Sequence, residues 1–195
     1  MFASTTATDA ERAVPRPGDD LVAPADVTMD RAFTLDAPPQ IVWPWLVQLG
    51  KARAGWYLPR SVERFVPPGR RAARRILPQW QALAVGEVIP DYGGKNETFR
   101  VEQLQRPASI VYTSQRGRTT VSWSITLEPD SDDVSRRTRV FLRLCAAPVR
   151  RKRLMETGGE FFDALTVALM VAGLRERLAE ASVVSGSLAP TSRGR

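Results

Sequence analysis

The sequence contains no histidine, and that absence excludes more chemistry than any residue present suggests. Ser–His and Cys–His nucleophile pairs, imidazole acid–base catalysis and the common zinc or iron sites all need that ring. Cysteine is nearly absent too. The single Cys145 rules out an intrachain disulfide, is expected to sit as a small buried hydrophobe in a strand, and makes a reducing cytoplasm the simplest location. No run approaches the roughly 20 consecutive apolar residues that cross a bilayer. The residues after Met1 and Phe2 do not build an apolar secretory segment. Any catalysis falls to carboxylates, Tyr, Lys, Arg or a bound group, and neither a cofactor nor a metal is expected.

Charge is present in excess of one sign. There are 28 Lys and Arg against 21 Asp and Glu, a net charge of +7. Such a balance raises the prospect of nucleic acid or an anionic membrane as partner. The basic clusters, Arg70, Arg71, Arg74, Arg75 and Arg150, Arg151, Lys152, Arg153, have no recognition helix, zinc finger or aromatic RNA signature beside them. A solvated basic face is the simpler reading, and it argues against nucleic acid.

Both ends lack apolar periodicity. Residues 1–24 are rich in Ala, Thr, Asp and Pro, and residues 183–195 in Ser, Gly, Pro and Arg; both read as disordered tails. The domain between them, residues 25–182, is large enough to bury about two-thirds of its unfolded surface.

Within it, Val27 to Leu35 alternates as a strand, and Asp36-Ala37-Pro38-Pro39 ends it. Asp36 suits a helix cap, and prolines suit a first helical turn. Ile41, Trp43, Trp45, Leu46 and Leu49 then spell a short helix ending at Gly50, with Pro44 inside it. Residues 61–65 and 70–76 read as helical turns among prolines. Strands return at residues 87–89, 99–104, 109–114, 119–128 and 136–146. In the fourth of these, Val121, Trp123, Ile125 and Leu127 face one way and Ser122, Ser124, Thr126 and Glu128 the other. That alternation marks one face on a core and one in water. After Pro148 the period becomes helical, and residues 160–181 are apolar nearly all round before turning charged at Arg175. The expected architecture is α+β: a curved antiparallel sheet wrapped around a long C-terminal helix, the helix-grip fold.

Five motifs in order carry a resemblance. Asp36-Ala37-Pro38 leads into Val42-Trp43-Pro44-Trp45-Leu46-Val47-Gln48-Leu49-Gly50. Then come Arg53-Ala54-Gly55-Trp56-Tyr57 with Glu63, and Pro78-Gln79-Trp80-Gln81 with Leu83 to Val88. Trp123 in its strand and Gly173-Leu174-Arg175-Glu176-Arg177 with Ala179-Glu180 complete the set. Across residues 25–182 the chain resembles a bacterial branch of the SRPBCC superfamily, which holds START-like, birch-allergen-like and polyketide cyclase/dehydrase-like domains. The resemblance implies an apolar or aromatic small molecule held between the sheet and the long helix.

On that expectation the ligand-binding candidates are Trp56, Tyr57, Trp80, Tyr92, Trp123, Phe161, Phe162 and Leu165. Val121, Ile125 and Leu169 read as core. Arg53 is expected to pair internally with Glu63 or to meet an acidic ligand. Glu63, Glu87, Asp91, Tyr57 and Tyr92 are the available acids and bases, and no catalytic residue stands out among them. Three readings remain open: a small-molecule binding domain, a metal-independent cyclase or dehydrase in the same pocket, and a basic interaction module.

Overall fold

The alternation over Val27–Leu35 forms β1, the edge of a six-stranded antiparallel sheet. The computed structural model describes residues 5–94, 96–130, 136–149 and 160–187. The remaining strands are β2 (Val88–Pro90), β3 (Thr98–Gln105), β4 (Ser109–Arg116), β5 (Thr119–Pro129) and β6 (Thr138–Ala147). They lie in the order β1-β6-β5-β4-β3-β2, a meander closed at one side by the first strand. A bulge between Val101 and Gln103 interrupts the β3–β4 ladder, a device that bends a strand and adds twist.

Helices α1 (Asp9–Ala13), α2 (Pro39–Gln48) and α3 (Arg60–Glu63) precede the meander, and α4 (Glu160–Ser187) follows it. The protein is an α+β helix-grip fold: a six-stranded antiparallel sheet with a long C-terminal helix. Helix α2 begins on prolines, as expected, but Asp36 does not cap it. Pro38 occupies that position, and Asp36 pairs with Arg137 at 3.3 Å. The helical turn expected at residues 70–76 is absent beyond a 3-10 turn at Pro68–Arg70. Backbone bonds to other elements hold that stretch extended: Ala73 donates to the Ala54 carbonyl, and Leu77 to the Gln48 side chain.

The largest departure from expectation is at the N-terminus. Residues 5–24 are not a tail; they cover the outer face of the sheet. The Ala32 amide donates to the Thr5 carbonyl, so the segment's start lies along the β1 edge. Arg143 on β6 is the anchor: it bonds Asp30, Asp19 and the carbonyls of Arg12 and Val14. Arg16 reaches back across the sheet to Glu128 at 2.5 Å, and its guanidinium lies 4.1 Å from the centre of the Phe141 ring. Gly18 has φ of +86°, and a Cβ there would sit 2.5 Å from Val111. This cover explains why Ser122, Ser124 and Thr126, read as solvent-facing, are buried. It was illegible locally because ion pairs with distant strands, not apolar periodicity, hold the segment down. Cys145 is also on this face, buried, and burial raises its thiol pKa.

Candidate functional site

The inner face of the sheet divides into a filled half and an open half. In the filled half Phe33, Leu35, Ile125, Leu127 and Val140 pack against Val42 and Leu46 of α2 and Met170, Val171 and Leu174 of α4. In the open half one row runs across four strands in register: Met29 opposite Leu144, Leu144 opposite Trp123, Trp123 opposite Tyr112. Met29, Leu144 and Trp123 are inward-facing yet only half-buried, because the space in front of them is a cavity of about 460 Å³. That volume is in the range of small-molecule sites.

Aromatic rings form much of its wall. Trp123 stacks on Tyr112 with centroids 5.5 Å apart, and Phe99 tilts against Trp123 at 5.7 Å. Across from them Trp56 meets Tyr92 edge-on at 6.3 Å. The Trp56 indole N–H donates to the Thr166 carbonyl of α4, so this ring ties the irregular segment to the helix. Thr166 and Val167 turn toward the cavity. A recess of about 40 Å³ adjoins it beside Leu49, Ile89 and Tyr112.

The mouth is polar. The turn that follows β2 brings Asp91, Tyr92 and Gly93 there, and Lys51 fixes it by donating to the carbonyls of Asp91 and Gly94. Arg116, at the end of β4, pairs with Asp91 and lies 5.4 Å from the centre of the Phe99 ring. Arg31 lines the cavity from β1, at the opposite edge of the sheet from that turn. Partial burial raises the Tyr92 phenol pKa, opposed by a backbone hydrogen bond at Trp56, so its hydroxyl is a proton donor at neutral pH.

Of the candidates drawn from the sequence, Trp56, Tyr92 and Trp123 line this cavity together. Tyr57 does not: fully buried, it donates to the Trp45 carbonyl at 2.7 Å and accepts from Gln48. Desolvation raises its pKa and keeps that proton in place. Trp80 lies under the Arg53 guanidinium at 4.8 Å, away from the cavity wall. Leu165 is exposed; at 100° per residue, Thr166 and Val167 are the helix positions that turn inward. The side chains of Phe161 and Phe162 lie outside the described residues.

Arg53 makes an internal ion pair, though with Glu87 at 2.5 Å and not with Glu63. Glu63 is buried between Arg74 and Arg177. Arg74 also binds Glu176 and Glu180, so the first arginine cluster is partly consumed inside the fold. The second, Arg150 to Arg153, lies outside the described residues.

The sequence reading missed Met29, Phe99, Leu142 and Leu144 on the wall, and Arg31 and Arg116 beside them. One signal was present: Arg31 interrupts the inward series Val27, Met29, Phe33, Leu35, and Arg116 extends the inward series Ile110, Tyr112, Ser114. A charge at an inward strand position marks a place where the core is not closed.

Among the described residues no helix is long and apolar enough to cross a membrane. No family model and no curated protein matches the sequence. Solved structures of similar fold include protein MLL2253 from Mesorhizobium loti, 14% identical, with a TM-score of 0.48 over 79% of this chain and 98% of that one. Protein CV1439 from Chromobacterium violaceum is 17% identical, with a TM-score of 0.46 over 78% and 96%. CalU16 from Micromonospora echinospora is 14% identical, with a TM-score of 0.43 over 83% and 87%. At such distances function has to be argued from the site itself.

Proposed function

We propose that this chain is a helix-grip domain of the SRPBCC kind that binds an apolar or aromatic small molecule in the cavity between its sheet and α4. The observation that carries the reading is the open half of the sheet: Met29, Leu144 and Trp123 face inward, remain incompletely covered, and front about 460 Å³ of space walled by aromatic rings. Apolar walls with a few placed polar groups are what such ligands need, since transfer from water drives binding and the polar groups set orientation. Native mass spectrometry of freshly purified protein, followed by titration with a neutral solvatochromic dye such as Nile red, tests it. Saturable binding at one dye per chain, or a co-purifying apolar molecule, is the expected result. A protein with no adduct and no saturable dye signal defeats the proposal.

One observation favours a second reading, a metal-independent cyclase or dehydrase: Asp91 and Tyr92 both reach the cavity. A carboxylate and a phenol at the mouth supply an acceptor and a donor of protons. Incubating the co-purified molecule with the protein separates the readings. Turnover that disappears in Asp91→Asn supports catalysis, and recovery of the molecule unchanged supports binding alone.

A further inference from the structure

We infer that the ligand is an aromatic acid, with its ring system in the trough and a carboxylate or equivalent oxyanion seated at the mouth on Arg116. The inference rests on the cavity-binding reading above and adds the chemical class.

Three of the polar side chains of the cavity cluster, while Arg31 stands apart on β1 and Thr166 on α4. Trp123, Phe99, Met29, Leu142 and Leu144 make one long apolar wall, whereas Arg116, Asp91 and Tyr92 gather at one end. A guanidinium carries five N–H donors in a planar fork. Asp91 takes one of them, through Nη2. The Arg116 side chain keeps about 34% of its surface exposed and lines the cavity, so N–H groups that Asp91 does not take remain accessible there. An accessible guanidinium at the end of an apolar trough is best matched by an oxyanion, through charge-assisted hydrogen bonds.

Two neighbours keep the approach open. The Phe99 ring, 5.4 Å from the guanidinium carbon, supports one face of Arg116 and leaves its edge for hydrogen bonding. Gly93 supplies the room: a Cβ there would lie 2.9 Å from the Asp91 carboxylate and 3.1 Å from Arg116 Nη1. Any other residue would crowd the ion pair from the cavity mouth. A neutral apolar ligand would use the trough and ignore this end, whereas an acid uses both.

The test compares 1-pyrenebutyrate with 1-pyrenebutanol by fluorescence titration, because the two share a ring system and differ in the acid. The acid is expected to bind about tenfold more tightly, the low end for a charge-assisted hydrogen bond. Arg116→Gln should bring the acid-to-alcohol ratio close to one. Asp91→Asn, which releases Arg116 from its carboxylate partner, should raise that ratio; loss of a merely structural ion pair would weaken both probes alike. Circular dichroism of both variants guards against misfolding. Equal affinity for acid and alcohol, or a ratio unmoved by Arg116→Gln, overturns the acid assignment while leaving the cavity reading intact. Binding of neither probe overturns both.

Discussion

The guanidinium of Arg177, on α4, meets the carboxylate of Glu63, at the end of α3, at 2.5 Å, with the Arg177 side chain wholly out of solvent. The same guanidinium donates to the carbonyls of Ala73, Leu58 and Gly173 and lies 4.8 Å from the centre of the Tyr57 ring. One side chain therefore joins the long helix to three points of the irregular segment. Removing it strands Glu63, still bound to Arg74, in a site built for two cations. Arg177→Met should cost about 3–5 kcal/mol, the loss typical of breaking a buried pair on one side. Adding Glu63→Gln should recover part of that. Urea unfolding of both variants measures the difference; a cost under 1 kcal/mol would mean that Arg177 does not organise this junction.

Helix α4 approaches that segment at Gly173. A Cβ there would fall 2.5 Å from the Leu58 carbonyl carbon and 2.7 Å from that of Tyr57, both backbone atoms that cannot swing aside. Alanine improves intrinsic helix propensity over glycine by about 1 kcal/mol. Contact at this distance should outweigh the gain, since overpacking costs about 1–3 kcal/mol and here the backbone itself must move. Gly173→Ala is expected to lower the melting temperature, and an unchanged or raised value would refute the close approach.

The N-terminal segment provides a pH test. Arg139 donates to both oxygens of Glu11, at 2.6 and 3.0 Å, and this bond, assisted by Thr8, holds the Glu11 carboxyl down to about 2 from an ordinary 4.5. A carboxyl with a lower pKa folded than unfolded contributes stability above about pH 4.5 and loses it as the pH falls toward about 2. The pair is partly exposed, so its contribution should be about 1 kcal/mol. Denaturation at pH 7 and pH 3 should show wild type losing more stability between them than Glu11→Gln. Equal losses would mean the pair is not formed in solution.

Most of the fold was legible because the period change from two to helical is written locally. Trp123 alternates with serines, and Leu174 recurs with Val171 and Leu178 on one helix face. The cavity was less legible for a physical reason. Whether an inward Leu144 is core or wall depends on which residue lies opposite in a strand far along the chain, and on how far α2 reaches across the sheet. The motifs that carried the family resemblance point mostly elsewhere. Gln48 binds Tyr57, Leu77 and Gln81; Arg53 binds Glu87; Arg177 binds Glu63. These residues brace the irregular segment, and of that set Trp56 and Trp123 reach the cavity. Motifs here mark the scaffold, and the ligand wall is drawn from ordinary strand positions between them.

That division of the sheet predicts opposite outcomes for the same substitution on one inner face. Leu144 fronts open space, whereas Ile125, one strand over and 1% exposed, is packed against other side chains. Leu144→Trp adds an indole where about 460 Å³ is available, so it gains apolar contact without displacing a neighbour. Ile125→Trp must push its neighbours aside, at about 1–3 kcal/mol or more. The expected result is that Leu144→Trp leaves the melting temperature unchanged or higher while weakening Nile red binding at least tenfold. Ile125→Trp should lower the melting temperature sharply. If Leu144→Trp destabilises as much as Ile125→Trp, the space before Leu144 is closed in solution, and the binding reading loses the observation on which it stands.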